Sequence, residues 1–225
     1  MFEPLERIKR ETAREYVMRV LRHNVINLNL EPGQVISENE IAEMLGVSRT
    51  PVREAFIELS RASIVEIYPQ KGTYISLIDK EIVEESRFMR CVLEKAVAEL
   101  SCDVLSEDDR IALEENVHLQ ESCVSRNDYK RLLYLDNSFH ELLFKACNKE
   151  RIYSLIESMM LHFNRMRLLN LAEMDMKRSV DDHKEILEAI KCKNKERAVA
   201  SMETHLSRVI LDQTYLIKRH PEYFK

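Results

Sequence analysis

The segment IAEMLGVSRTPVR, residues 41–53, constrains the fold of this chain more than any other. It predicts a short helix that ends at Leu45, a tight turn at Gly46 and a second helix that begins at Ser48. Two short helices joined in this way form a helix-turn-helix, whose second helix lies in the major groove of DNA. The segment therefore predicts a DNA-reading element, an arrangement that few enzymes need.

The residues on either side of this segment complete a winged helix. Apolar residues at helical spacing predict a first helix over roughly residues 5–29, which Pro32 and Gly33 stop. Ser37 caps the short helix, and Pro51 suits the first turn of the recognition helix. Alternating, β-branched stretches at 64–68 and 73–77 flank the turn Pro69-Gln70-Lys71-Gly72, which predicts a two-stranded wing.

The chain after Asp79 shows long helical patterns only. With three glycines and five prolines in 225 residues, the composition favours a mainly α protein. We count six helices in a bundle, beginning near Asp79, Ser106 and Asn127 or Asp128 and then spanning about 150–171, 174–192 and 194–219. The predicted domains are a winged helix-turn-helix over 1–78 and an all-helical domain over 79–225.

Several classes of protein are disfavoured. The five cysteines are odd in number and lack a CxxC pair, which argues against a disulfide framework or a zinc ribbon. No apolar run approaches the roughly 20 residues of a membrane span, and the N-terminus lacks a signal-peptide core, so a cytoplasmic location is expected. Residues 1–78 carry 10 Lys+Arg against 11 Asp+Glu. We therefore expect selective, salt-sensitive DNA binding rather than coating.

Two motif sets resemble a known family. The segment SENEIAEMLGVSRTPVREAFIEL followed by IYPQKGTYIS resembles the GntR-type winged helix over residues 1–78. The rest resembles the FCD effector domain of the FadR subfamily, and six helices are similar to its shorter, VanR-like branch. The FCD motifs are Arg90-Cys91-Val92-Leu93-Glu94, Asp136-Asn137-Ser138-Phe139-His140, Asp182-His183 and His205. The resemblance implies a homodimeric transcription regulator, usually a repressor, that binds a pseudo-palindromic operator and responds to a small organic acid.

The recognition helix carries the groups that read DNA. Arginine can donate two parallel hydrogen bonds to guanine, and hydroxyls at a helix start can donate to phosphate. An isolated S-R-T-P-x-R favours an ordinary capped surface helix, whereas the adjoining wing favours DNA binding. Family motifs differ at Ser63, where glycine is frequent, and at Asn39, where some members have arginine. The resemblance implies that the DNA contacts are Ser48, Arg49, Thr50, Pro51 and Arg53 on the helix and Gln70, Lys71, Gly72 and Thr73 at the wing tip.

A second set of polar residues lies on apolar stripes of the helical domain. Asp136 and His140 are four residues apart, and His183 and His205 lie among apolar neighbours on other helices. Spacing alone favours a hydrogen-bonded Asp-His pair with two unrelated histidines. The resemblance implies instead that all four bind one divalent metal ion, with zinc favoured over nickel or manganese.

Arg90 and Glu94 form an i,i+4 pair, which spacing alone permits to be a surface salt bridge. In the family the corresponding arginine often faces the effector, so Arg90 is a candidate clamp for a carboxylate, with Arg165, Arg167 and Arg178 as possible companions. Two alternatives remain, a metal-dependent enzyme and a ligand-independent DNA-binding protein. The chain lacks HExxH, a phosphate loop and a nucleophile elbow, so we expect no enzyme.

Overall fold

The computed structural model describes residues 1–225. It divides into two units, one made of Met1–Lys80 with Ile217–Lys225 and the other of Glu81–Leu216. The chain passes between the units inside two helices, near residue 80 and again near residue 216. The first unit therefore includes a C-terminal segment, and Phe224 of this segment pairs with Ile78 as an isolated parallel bridge.

The first unit is a winged helix. Its sheet has three antiparallel strands in the order β1 (Val35–Ile36), β3 (Gly72–Ile75) and β2 (Val65–Tyr68), with Val35 opposite Tyr74 and Val65 opposite Ile75. The wing therefore has one strand more than the sequence predicted, because a two-residue strand is too short to show alternation. In chain order the elements are α1 (Ala13–Ile26), β1 (Val35–Ile36), α2 (Glu38–Leu45), α3 (Arg49–Arg61), β2 (Val65–Tyr68) and β3 (Gly72–Ile75).

The first helix is shorter than predicted. It begins after Thr12, whose side chain accepts from the backbone N–H of Glu15 while the Glu15 carboxylate accepts from the backbone N–H of Thr12. This capping box satisfies N–H groups that would otherwise lack partners and sets the helix start. The helix ends at Ile26, and Leu28 has a φ of 53°. A left-handed residue cannot continue an α-helix, so the prediction of residues 5–29 is wrong at both ends.

The second unit is built from seven helices rather than the predicted six. The predicted helix 150–171 breaks at Met160, and the Ser86 hydroxyl donates to the Met159 carbonyl at 3.1 Å beside the break. The argument for a shorter family branch from helix number therefore does not hold. The helices are α4 (Lys80–Val104), α5 (Glu107–Arg126), α6 (Tyr129–Ala146), α7 (Glu150–Met159), α8 (Leu161–Glu173), α9 (Met176–Lys191) and α10 (Lys195–Arg219).

Helix α8 lies at the centre of the second unit. Every residue from Leu161 to Leu169 is buried, including Asn164, Arg165 and Arg167. Helix α6 packs against α5, α7 and α8, and α5 also packs against α9. Buried polar side chains need partners inside the protein, so this packing concentrates the polar groups of the unit into one network. None of the helices in the structure is both long and apolar enough to cross a bilayer.

Candidate functional site

The predicted DNA-reading residues of α3 lie at its exposed first turn. Ser48 is the N-cap residue but makes no side-chain capping bond, so its hydroxyl and the first N–H groups of the helix stay open to an anion. Arg49 is 68% exposed and its closest carboxylate, Glu38, is 3.7 Å away. Thr50 and Arg53 are also exposed, whereas Pro51 is buried. Because Pro51 is buried in the first unit, it is less accessible to DNA than its neighbours, and its contact with DNA stays a prediction.

The wing residues lie at the tip of the β2–β3 hairpin. Gln70 has a φ of 64° and Gly72 a φ of 114°, which let the chain reverse within a few residues. Gln70, Lys71 and Gly72 are exposed, and Thr73 is partly buried. The Tyr74 hydroxyl donates to the carbonyl of Lys71 at 3.2 Å and steadies the tip. The wing thus presents one cation, Lys71, to solvent between Gln70 and Gly72.

Ser63 adopts a backbone conformation that favours glycine. It follows the end of α3 with a φ of 59°, and the next residue, Ile64, donates to the Leu59 carbonyl at 2.9 Å. This left-handed ending satisfies the last carbonyls of the helix and favours a residue without Cβ. The turn keeps the shape that glycine would give it, at the cost of strain.

The four predicted metal ligands come together inside the second unit. Helix α6 supplies Asp136 and His140, α9 supplies His183, and α10 supplies His205. All four are buried, and their ligand atoms lie within 4.8 Å of one another. His205 Nε2 is 3.2 Å from both His140 Nε2 and His183 Nε2, and Asp136 Oδ2 is 3.4 Å from His140 Nε2. Three imidazole nitrogens and a carboxylate therefore converge on one point.

Two of the imidazoles meet an oxygen on their outer side. Glu94 Oε2 lies 2.6 Å from His140 Nδ1, a close contact whose angle falls short of a regular hydrogen bond. His183 Nδ1 lies 2.7 Å from Gln120 Oε1. An outer oxygen places the ring proton on Nδ1 and leaves Nε2 with its lone pair toward the cluster.

The third imidazole has a more distant partner. His205 Nδ1 is 3.6 Å from Asp182 Oδ2, which is too far for a hydrogen bond, and it makes no other hydrogen bond. Burial alone would raise the pKa of Asp182, but the hydrogen bonds from Arg208 and the nearby His205 ring outweigh it and lower the pKa. Asp182 is therefore charged and held beside the ring, so it completes a set of oxygen neighbours around the three histidines.

Without a bound cation, the arrangement of the cluster would be electrostatically unfavourable. With the ring protons on Nδ1, the Nε2 lone pair of His205 faces those of His140 and His183 at 3.2 Å, and a proton on His205 Nε2 could be donated to only one of them. Zinc takes His and Asp ligands at about 2.0–2.2 Å, which places neighbouring ligand atoms about 3–3.5 Å apart. The distances of 3.2 and 3.4 Å match that requirement, and Asp136 Oδ1 lies slightly farther, 3.7 Å from His183 Nε2 and 3.9 Å from His205 Nε2. The residues present thus fit a divalent metal ion.

The carboxylate of Asp136 is shared with an arginine. Its Oδ2 accepts from Arg167, and its Oδ1 accepts from the Ser179 hydroxyl at 3.2 Å. Burial would raise the pKa of Asp136, but Arg167, His183 and His140 hold it well below its usual value. Burial also lowers the pKa of His183 well below 6.5. The aspartate is charged and that imidazole neutral, as metal ligation requires.

A cavity opens beside the cluster. Asp136 and His205 line it together with Arg90 and Arg167, whose guanidinium carbons lie 5.3 and 5.8 Å from the ring centroid of Phe163. Arg178, Arg208, Asp175 and Asp212 also contribute to its walls. Arg165, the third candidate companion, is fully buried and does not line the cavity. An anion in this cavity would meet guanidinium groups and metal ligands at once.

Arg90 is not a surface residue. It is 1% exposed and donates to Glu94, with Arg90 Nε at 2.5 Å from Oε1 and Nη2 at 3.3 Å from Oε2. The interpretation of this pair as a surface salt bridge is therefore wrong. Because Glu94 also contacts His140, it joins the cavity wall to a candidate metal ligand.

Sequence reasoning missed some of the residues that surround the ligands. Asn116 and Gln120 lie on the buried stripe of α5 with Leu113 and Val117. Two amides at stripe positions are a sign of an internal partner, because an unpaired buried amide is costly. The identity of that partner, His183, depended on how α5 and α9 pack.

Comparison with known proteins gives matches over both units. Residues 13–75 match the gntR family of bacterial regulatory proteins, and residues 85–208 match the FCD domain. The chain is 26% identical to the HTH-type transcriptional repressor RspR of Escherichia coli over 95% of this chain and 94% of that protein. It is 28% identical to the gluconate operon transcriptional repressor of Bacillus subtilis, over 84% and 80%. A crystal structure of a putative GntR regulator from Rhodococcus sp. RHA1 superposes with a TM-score of 0.72 at 26% identity, covering 91% and 97%.

Proposed function

We propose that this chain, which belongs to the GntR family of bacterial regulatory proteins and carries an FCD domain, represses a metabolic operon. A small organic acid bound at a metal site would control this repression. It is a transcription regulator of the GntR type rather than an enzyme, as its relatives are. The names of those relatives describe them as repressors, one of them of the gluconate operon. We propose the same kind of role for this chain.

The main support for the metal site is the convergence of three imidazole nitrogens on one buried carboxylate. Asp136, His140, His183 and His205 would hold one divalent ion, and zinc suits their nitrogen and oxygen donors. The bound ion would supply positive charge for a ligand oxygen at the floor of the cavity. Each ligand is buried and carried by a helix, so the donor set is rigid.

The cavity supports an acidic effector. Arg90 and Arg167 lie against one phenylalanine ring and border the same space as Asp136 and His205. Both guanidiniums already accompany a carboxylate, so an acid that binds there competes with Glu94 or Asp136 for donors. An organic acid would thus change the contacts of the cluster when it binds.

The DNA-reading residues support operator binding by a homodimer. One recognition helix reads too few base pairs for a unique site, whereas two copies read a pseudo-palindrome. Phe88 and Val92, one turn apart on α4, are 65% and 53% exposed. Exposed apolar residues at this spacing suit burial against a second copy, because water contact with both side chains is unfavourable.

Chain continuity supplies a route from effector to DNA. Helix α4 leaves the first unit at Lys80 and carries Arg90 and Glu94, while α10 carries His205 and returns to the first unit at Ile217. Ligand-induced shifts of either helix therefore reach residues that belong to the DNA-binding unit. A coupling free energy of about 1–3 kcal/mol is typical of such transitions.

The test combines metal analysis with operator binding. Wild-type protein is expected to contain one divalent metal ion per chain and to bind its own upstream DNA in a way that small organic acids alter. His183→Ala should lose the metal and the response to acid while the winged helix still binds DNA. His118→Ala is the matched control, because its side chain is 82% exposed and contacts Glu121 rather than a member of the cluster. Wild-type protein without metal, together with a His183→Ala variant that still responds, would overturn the proposal.

A further inference from the structure

Two buried amides on α5 form a chain of hydrogen bonds that ends on His183. Gln120 is fully buried and Asn116 is 6% exposed. Gln120 Oε1 lies 2.7 Å from His183 Nδ1, Gln120 Nε2 donates to Asn116 Oδ1 at 2.7 Å, and Asn116 Nδ2 donates to the Leu135 carbonyl at 3.2 Å. The chain thus runs from a backbone group of α6 through α5 to the imidazole on α9.

The direction of this chain is fixed by its backbone end. The Leu135 carbonyl can only accept a hydrogen bond, so Asn116 must turn its amide nitrogen toward it and its oxygen toward Gln120. Gln120 must then donate to that oxygen, which turns its own oxygen toward His183. An amide oxygen can only accept, so the proton of the imidazole lies on Nδ1. Each orientation follows from the previous one without reference to a metal ion.

We propose that Gln120, oriented by Asn116, is a positioning residue that holds His183 in the Nδ1–H tautomer. The Nε2 lone pair then faces the cluster, 3.2 Å from His205 Nε2 and 3.7 Å from Asp136 Oδ1. The opposite tautomer would direct an N–H into the space where a metal ion binds. The consequence for metal affinity rests on the proposed function, whereas the tautomer does not.

Gln120 differs from the other outer neighbours in charge. His140 and His205 face the carboxylates of Glu94 and Asp182, but His183 faces a neutral amide. A carboxylate can accept from either side and needs no fixed orientation, whereas an amide must be held the right way round. Asn116 supplies that constraint, so the two amides act as one unit.

The test measures the tautomer and the metal affinity separately. Long-range ¹H–¹⁵N correlation spectra of metal-free, ¹⁵N-histidine-labelled protein at neutral pH report which ring nitrogen of His183 carries the proton. Wild type is expected to show Nδ1–H alone, and Gln120→Met, of similar shape but without an acceptor, is expected to show a mixture or Nε2–H. Zinc affinity, measured by competition with a chromophoric chelator, should fall about 10- to 100-fold in Gln120→Met.

Two further variants separate positioning from packing. Gln120→Glu keeps an acceptor oxygen and is expected to restore the Nδ1–H signal and most of the zinc affinity, which a purely structural role would not predict. Gln213→Met makes the same change on α10, where the side chain is partly exposed, and should leave both readouts at wild-type values.

The outcomes distinguish this inference from the proposed function. A wild-type His183 that carries its proton on Nε2 overturns the inference without any variant, and so does a Gln120→Met protein with unchanged tautomer and zinc affinity. A wild-type protein that binds no zinc but shows Nδ1–H, lost in Gln120→Met, supports the inference while the metal site of the proposed function fails.

Discussion

The proposed DNA-reading surface and the candidate metal site use similar polar residues in opposite settings. The predicted reading residues lie between positions 48 and 73 and are mostly exposed, whereas the four cluster residues come from three helices and are buried. On the surface, Arg49 can lie 3.7 Å from Glu38 and remain available to DNA. In the interior, each charge requires a partner, and those partners require partners of their own. An exposed site can therefore be built locally, while a buried one needs an organised network.

The sharpest test of this contrast compares two arginine–glutamate pairs on α4. Glu94→Leu leaves Arg90 buried without its carboxylate and should lower the free energy of unfolding by about 3–5 kcal/mol. Arg87→Met breaks the exposed pair with Glu84 and should cost less than about 1 kcal/mol. Urea titration of metal-free protein measures both. Equal effects would mean that burial does not distinguish the two pairs, and the double variant Arg90→Met with Glu94→Leu should recover much of the loss.

The reading surface should show its effect in binding rather than in stability. Arg49→Ala should weaken operator binding by about 1–3 kcal/mol and relax the preference at one base pair in each half-site. Arg126→Ala, an exposed arginine at the end of α5, is the control and should leave affinity unchanged. Fluorescence anisotropy with operator variants is the measurement. An unaltered operator affinity in a folded Arg49→Ala protein contradicts the assignment of α3.

Lys71 should behave differently from Arg49, because we propose that it contacts phosphate rather than a base edge. Lys71→Ala should weaken all sequences alike and reduce the slope of log affinity against log salt by roughly one unit. The same anisotropy assay, repeated at several salt concentrations on operator and unrelated DNA, gives the slope. A loss confined to the operator would assign Lys71 to base recognition instead.

The interior should show its effect in the pH dependence of stability. Burial lowers the pKa of His183 and of His205 below the usual 6.5, so the unfolded chain binds more protons than the folded chain as pH falls below that value. The stabilising contribution of these neutral histidines to metal-free protein is therefore complete above about pH 6.5. Below that pH, the free energy of unfolding decreases by about 1.4 kcal/mol per pH unit for each histidine that titrates only when the chain is unfolded. Denaturant titrations between pH 7 and 5 check the slope, and His183→Ala should reduce it. A flat profile would contradict neutral buried imidazoles.

The smallest expected effect lies in the turn after α3. Ser63→Gly removes a Cβ from a residue with a φ of 59° and should stabilise the protein by about 1 kcal/mol. Ser60→Gly, in the last turn of the same helix, should destabilise by about 0.5 kcal/mol because glycine is a poor helix former. Thermal unfolding compares the two variants. Shifts in the same direction would indicate that the backbone conformation of Ser63 carries no strain.

The winged helix was largely determined by the sequence, because its signals are local. Ser37, Gly46 and Ser48 mark helix ends within a few residues, and the hairpin turn follows from Gly72 and its neighbours. What the local pattern omitted was the two-residue strand β1, which exists only because β3 lies beside it. The burial of Pro51 was likewise decided by packing, since a proline in a first turn can face either way.

The four cluster residues were predicted from family resemblance, and spacing alone favoured a simpler arrangement. What only the tertiary structure decided was the surroundings of the cluster. Glu94 reaches His140, Arg167 reaches Asp136 and Gln120 reaches His183. The last two pairs are 31 and 63 residues apart in sequence. The periodicity of the sequence within one helix does not specify which residues of another helix it contacts. The sequence determines which positions are buried and polar, and the packing of the helices determines which of those positions meet.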